Sequence, residues 1–189
     1  MSTVKRSRRV LIVCHCLLNA NAKVFPLATC PGVCMTPLRR SLEEGAGLLQ
    51  LPCPETVALG LNRFGMTREQ YDHPAFRRAC RTMLEPSLDQ IEVYASAGYE
   101  LMGLVGVDGS PNCGVQTTCY GFRGGELSAP ESNTEEQVAN LCLAPGRGVF
   151  MEEMLSALEA RNLCIPLFAV NESNPELLVA ADRLSTERR

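Results

Sequence analysis

Four runs of apolar residues punctuate the chain, and each stops at a turn-forming or proline-bearing segment. Residues 9–14 (RVLIVC) are continuous and rich in β-branched side chains. Such a run predicts a strand covered on both faces. LLQL at 48–51 is the second run; it must end at Pro52-Cys53-Pro54, because proline cannot donate to a sheet ladder. ELMGLVGV at 100–107 is the third and gives way to Asp108-Gly109-Ser110-Pro111-Asn112-Cys113-Gly114. CIPLFAV at 164–170 is the fourth, with Cys164 at its start. Between these runs the apolar spacing changes to that of helices. Residues 33–45 read as a helix closed by Gly45 and Gly47. Residues 74–97 place Phe76, Ala79, Cys80, Met83, Leu84, Ile91 and Tyr94 at helical spacing, with Pro86 expected to kink or split the element. Residues 148–162 read as an amphipathic helix. A last helix is expected over 174–184, with Asn174 as N-cap and Pro175 at its first position. The segment 56–70 reads as loop with at most a helical turn, and the polar, glycine-rich stretch 120–147 as an ordered excursion or a mobile lid.

Strands alternating with helices predict an α/β fold: a three-layer α/β/α arrangement around a mostly parallel, Rossmann-like sheet with right-handed crossovers. The 189 residues suit one domain. Residues 1–8 form an expected flexible tail, and 9–185 a single domain with an excursion at about 115–147. In a parallel sheet the loops after the strands gather along one edge, where ligands bind. Cys16 follows the first strand, Cys53 the second and Cys113 the third. The topology therefore brings together three thiols that no linear motif joins.

Composition narrows the chemistry. A hydrophobic fraction of 46% with 21% charged residues is that of a soluble globular protein. The net charge of −3 argues against nucleic acid as partner. Lys5, Arg6, Arg8 and Arg9 are the one dense basic run and read as a solvated tail, as do Glu187, Arg188 and Arg189. No stretch approaches the roughly 20 apolar residues that span a bilayer, and VLIVCHCLL lacks the cleavage pattern of a signal peptide. The expectation is a cytoplasmic protein without a membrane partner; a homodimer stays open. Ten cysteines in a reducing compartment point to metal binding, catalysis or buried thiols rather than disulfides. A structural zinc site needs four ligands, usually in close pairs. A nucleophilic cysteine needs a base, and only His15 and His73 are histidines. A [4Fe–4S] cluster on three thiolates is chemically reasonable and leaves one iron open. Simple burial of the thiols is the competing reading.

The motifs HCLLN (15–19), QLPCPE (50–55), LGLNR (59–63), YDHPAFRRAC (71–80), GYELMGLVGVDGSPNCG (98–114) and PGRGVFMEEM (145–154) resemble the DUF523 family, in particular its TudS-related branch of 2-thiouracil desulfidase-like iron–sulfur proteins. The resemblance covers most of residues 10–170. It implies a [4Fe–4S] cluster held by Cys16, Cys53 and Cys113, and a desulfidase that replaces the sulfur of a small thiolated compound by the oxygen of water. Carried over by motif, Ser110 and Glu55 are the catalytic candidates, with Glu55 activating water and Ser110 stabilising charge or relaying a proton. The chain departs from the family pattern in SPNC for SPSC, in CHCLLN for a small residue before CLLG, and in NANAKV where RYDG is usual.

The remaining candidates each carry a plainer alternative. Asn19 and Asp108 are candidate substrate contacts, against capping of their own loops. Arg63 is a candidate anion holder, against pairing with an acidic side chain. His15 is a candidate proton donor, against a structural histidine. Cys14 and Cys80 read as core, and Cys142 and Cys164 as structural. Cys119 is a minor candidate for the cluster surroundings. Cys30 and Cys34 would be the reactive pair of a redox sensor, the non-enzymatic alternative; a cluster-dependent lyase or hydratase is the enzymatic one. Gly121, Gly124 and Gly125 make no dinucleotide fingerprint.

Overall fold

The computed structural model describes residues 5–125, 134–171, 174 and 178–181. The four apolar runs become β1 (Arg9–Val13), β2 (Gly47–Gln50), β3 (Glu100–Asp108) and β6 (Leu167–Asn171), joined at the edge by β7 (Leu178–Ala181). Their order is β2-β1-β3-β6-β7. The first four are parallel, with Val13 opposite both Gln50 and Val105, and Val105 opposite Phe168. β7 runs antiparallel to β6. The helices are α1 (His15–Leu18), α2 (Met35–Glu43), α3 (Pro54–Leu59), α4 (Arg68–Tyr71), α5 (Pro74–Ser96), α6 (Thr134–Asn140) and α7 (Val149–Ala160). β2 lies on the opposite side of β1 from β3 and β6. Right-handed crossovers then set α2 on one face of the sheet and α5 and α7 on the other, which gives the expected three layers.

The core follows from the unbroken apolar runs. Leu11, Ile12 and Val13 of β1 and Leu104, Val105 and Val107 of β3 are buried, covered by Cys80, Leu84, Leu88 and Ile91 of α5 and by Phe150, Met151 and Met154 of α7. Arginines clamp the helical layer from outside. Arg68 binds Asp72 and Glu152, each at 2.7 Å; Arg77 binds Asp72 (2.6 Å), Glu152 (2.7 Å) and Glu153 (2.8 Å); Arg81 binds Glu153 at 2.8 Å.

Several expectations change. α5 runs unbroken through Pro86. The carbonyl that Pro86 cannot bond belongs to Thr82, and both residues are exposed, so water can serve it. The expected last helix is replaced over 178–181 by β7, where the open backbone edge of β6 outweighs local propensity; Pro175 and residues 182–184 lie outside the described residues. The loop after β2 holds two helices, α3 and α4. The excursion is built on an antiparallel pair, β4 (Thr117–Tyr120) and β5 (Cys142–Pro145), with α6 in sequence between them. Cys164 is exposed and precedes β6, at the edge away from the candidate cysteines. Among the described residues no helix is long and apolar enough to cross a membrane.

Candidate metal centre

The loops after β2, β1 and β3 lie at the carboxyl ends of three adjacent parallel strands. β1 and β3 are where the order of the sheet reverses, the position at which open α/β sheets bind ligands. Cys16 sits in α1, directly after β1. Cys53 is the N-cap of α3, and its Sγ accepts the Thr56 N–H at 3.4 Å and the Thr56 hydroxyl at 3.2 Å. Cys113 lies in the loop after β3 and is 8% exposed. The adjoining Cys14 thiol, then burial, then the nearby Glu55 and Cys53 side chains push its pKa well above the ordinary thiol value. Cys53, Cys113 and Glu55 are therefore neighbours.

Glu55 is the most constrained group. Its Oε2 accepts from Arg63 Nη2 at 3.1 Å and Nε at 3.3 Å, and its Oε1 accepts from the Asn112 amide at 3.1 Å. Arg63 is buried and also donates to the carbonyls of Gly60 (2.8 Å) and Ala22 (2.7 Å), tying the loop after α3 to the loop after α1. Arg63 thus takes its plainer role, partner of an acid. Tyr71 is buried, with its hydroxyl against Glu55 and Arg63 but in no well-formed hydrogen bond. Asn112 is fully buried; its amide nitrogen serves Glu55, while its side-chain oxygen has no partner.

The Ser110 Oγ accepts the N–H of Cys113 at 2.9 Å and of Asn112 at 3.3 Å, so it shapes the loop that presents Cys113. Both bonds use its lone pairs, which leaves the hydroxyl proton to donate. Asp108 directs Oδ1 at three backbone N–H groups, of Val115 (3.0 Å), Gln116 (2.8 Å) and Thr117 (3.3 Å), a turn-holding arrangement. Asn19 accepts from the Asn21 backbone at 3.2 Å and side chain at 3.0 Å, and so caps its own loop. Burial lowers the His15 pKa, and its Nδ1 meets Gln50 Nε2 at 2.9 Å. Cys34 is buried, and Cys30 Sγ turns to the Gly32 carbonyl at 3.8 Å. Cys119 lies in β4, with Cys142 and Glu69 as neighbours. Phe25 is 94% and Phe64 81% exposed, with Leu27 and Leu61 also exposed.

Sequence reasoning missed Asn112 and Thr56. The one trace of Asn112 was the asparagine in SPNC; nothing in the sequence marks Thr56.

The donor set suits a soft metal. Three thiols stand just past the carboxyl ends of three strands, and one already takes two hydrogen bonds at sulfur, a feature that tunes iron–sulfur clusters. Among the described residues no group of three or more His, Cys, Asp or Glu side chains is gathered as a site for a metal ion. The thiolates of a polynuclear cluster bind different metal atoms and so need not meet around one ion.

No family model and no solved structure matches the chain. Over 160 residues it is 30% identical to the uncharacterized protein MJ0003 of Methanocaldococcus jannaschii, a match spanning 85% of this chain and 84% of that protein. At that identity and coverage, the chain belongs to the same family as this archaeal protein.

Proposed function

We propose that the protein is a cytoplasmic [4Fe–4S]-dependent desulfidase of the DUF523, TudS-related kind, acting on a small thiolated nucleobase or related thioamide. The observation that carries this reading is the placement of Cys16, Cys53 and Cys113 after three adjacent parallel strands, with the Glu55 carboxylate held beside Cys113. A cluster on these three thiolates would supply an iron without a protein ligand, a soft Lewis acid suited to thiocarbonyl sulfur.

The chain's own groups supply the rest. An ionised carboxylate offers about four lone-pair positions. Arg63 uses two on Oε2 of Glu55 and Asn112 one on Oε1. The last, on Oε1, can take a proton from water as its oxygen attacks the carbon that loses sulfur. The Ser110 hydroxyl can donate to charge that develops on the substrate.

The test is anaerobic reconstitution with iron and sulfide, counting of both, and measurement of sulfide released from 2-thiouracil and a panel of thiolated bases and thioamides. The expected result is cluster binding and substrate-dependent sulfide release. Glu55→Gln is expected to keep its iron and lose about 10²- to 10⁴-fold in rate, the range of a general base. A Glu55→Gln protein as fast as wild type removes Glu55 from the chemistry, and a chain that binds no iron removes the reading itself.

A further inference from the structure

Cys14 lies outside the proposed ligand set, yet the fold sets it beside Cys113. Both side chains are buried in the same core cluster, and both are free thiols. The backbone explains the meeting. The Cys14 N–H donates to the Val105 carbonyl at 3.0 Å, which extends the β1–β3 ladder one step past the Val13–Val105 pair. The next rung sets Cys14 beside Gly106, and neighbouring residues on parallel strands project to the same face. The loop after β3 folds back over that face. Val107 N–H donates to the Cys113 carbonyl at 2.9 Å, and a Cβ at Gly106 would stand 2.5 Å from that same oxygen. Glycine at 106 thus leaves the space that the Cys113 segment fills, with the Cys14 side chain alongside.

We propose that Cys14 and Cys113 are a redox pair that closes to an intramolecular disulfide when Cys113 holds no metal. With a peroxide as oxidant, one thiol displaces water from the O–O bond and becomes a sulfenic acid. The sulfur of the second attacks it, forms the S–S bond and releases a second water. Two thiols thereby give up two electrons and two protons, and one hydrogen peroxide becomes two waters. The disulfide removes Cys113 from the ligand set, so the oxidised chain must be reduced before it can be loaded. This consequence rests on the cluster reading; the disulfide does not.

The full-length protein, stripped of metal by a chelator under anaerobic conditions, is exposed to hydrogen peroxide, alkylated and digested without reductant. The expected product is a peptide linking Cys14 to Cys113 that dithiothreitol dissolves. Cys14→Ser and Cys14→Ala should both lack it and leave Cys113 unlinked. Wild-type protein in which Cys14 and Cys113 are recovered unlinked, or in which Cys113 is joined to Cys16 or Cys53 instead, overturns the proposal, and neither result depends on how a variant folds. Iron uptake is scored separately. Oxidised wild type should take up iron and sulfide only after dithiothreitol, whereas reduced wild type should do so directly. If the peptide forms but reduced protein binds no iron, the disulfide stands and the cluster reading falls.

Discussion

One carboxylate oxygen of Asp108 receives three backbone N–H groups, and that fixes where the chain turns after β3. Without it, three donors in a tightly folded loop lose their acceptor. Asp108→Ala is therefore expected to lower the unfolding free energy by about 1–3 kcal/mol, the cost of stranding such groups. Asp108→Asn keeps an acceptor oxygen and should lose less. Denaturant titration of the three proteins measures the series. An Asp108→Ala protein of wild-type stability that instead needed much more substrate for half-maximal rate would return Asp108 to the substrate. The same division of labour runs through Asn19, whose oxygen serves Asn21, and Ser110, whose oxygen serves Cys113 while its proton stays free. Short polar side chains at this edge of the sheet shape their loops first, and only their unused atoms remain for other partners.

Asp72 joins α4 to α5, accepting from Arg68 on one oxygen and Arg77 on the other. The hydrogen bond from Arg77, with the Arg68 charge beyond it, holds the Asp72 carboxyl below its usual range against the opposing effect of burial. A depressed folded-state pKa means that the unfolded chain binds the proton first as pH falls. The stabilisation is thus complete above about pH 4, the unfolded value, and is lost as pH falls through the lower folded value. Asp72→Asn should cost about 1–3 kcal/mol at neutral pH, and its deficit should shrink on acidification until the two proteins converge. Urea unfolding at neutral and acid pH tests this; a deficit that is constant with pH would mean that the aspartate acts by shape alone. At this scale the sequence was largely legible. Continuous apolar runs marked β1 and β3, and helical spacing marked α5 and α7, because burial imposes those periods. β7 was not legible: its four residues, Leu-Val-Ala-Ala, suit a helix as well as a strand, and the free edge of β6 decides between them. β4 and β5 were hidden for a related reason, since each finds its partner across an intervening helix.

For the whole molecule, strand order does what no local motif can. With β1 between β2 and β3, the loops after all three meet at one edge, and residues separated by many tens of positions become neighbours. Alternation of strands and helices was enough to predict that edge. It could not predict which side chains would touch there: the Glu55–Asn112 contact spans 57 positions, and Cys14, core as expected, meets Cys113 only because the loop after β3 folds back over it. The same geometry separates the cysteines by place in the fold. Cys164 precedes β6, at the opposite edge of the sheet, and Cys142 lies exposed in β5. Serine at either position should leave iron uptake unchanged. Serine at Cys16, Cys53 or Cys113 should abolish or strongly reduce it, while circular dichroism stays near wild type, because these residues lie beyond the ends of the strands and Ser differs from Cys by a single atom. Iron and sulfide counts on the five reconstituted variants decide the matter. If Cys164→Ser lowers iron as much as Cys53→Ser does, metal is bound without regard to the carboxyl edge and the placement argument fails; if only the three edge cysteines matter, the parallel order of β2, β1 and β3 is what assembles the site.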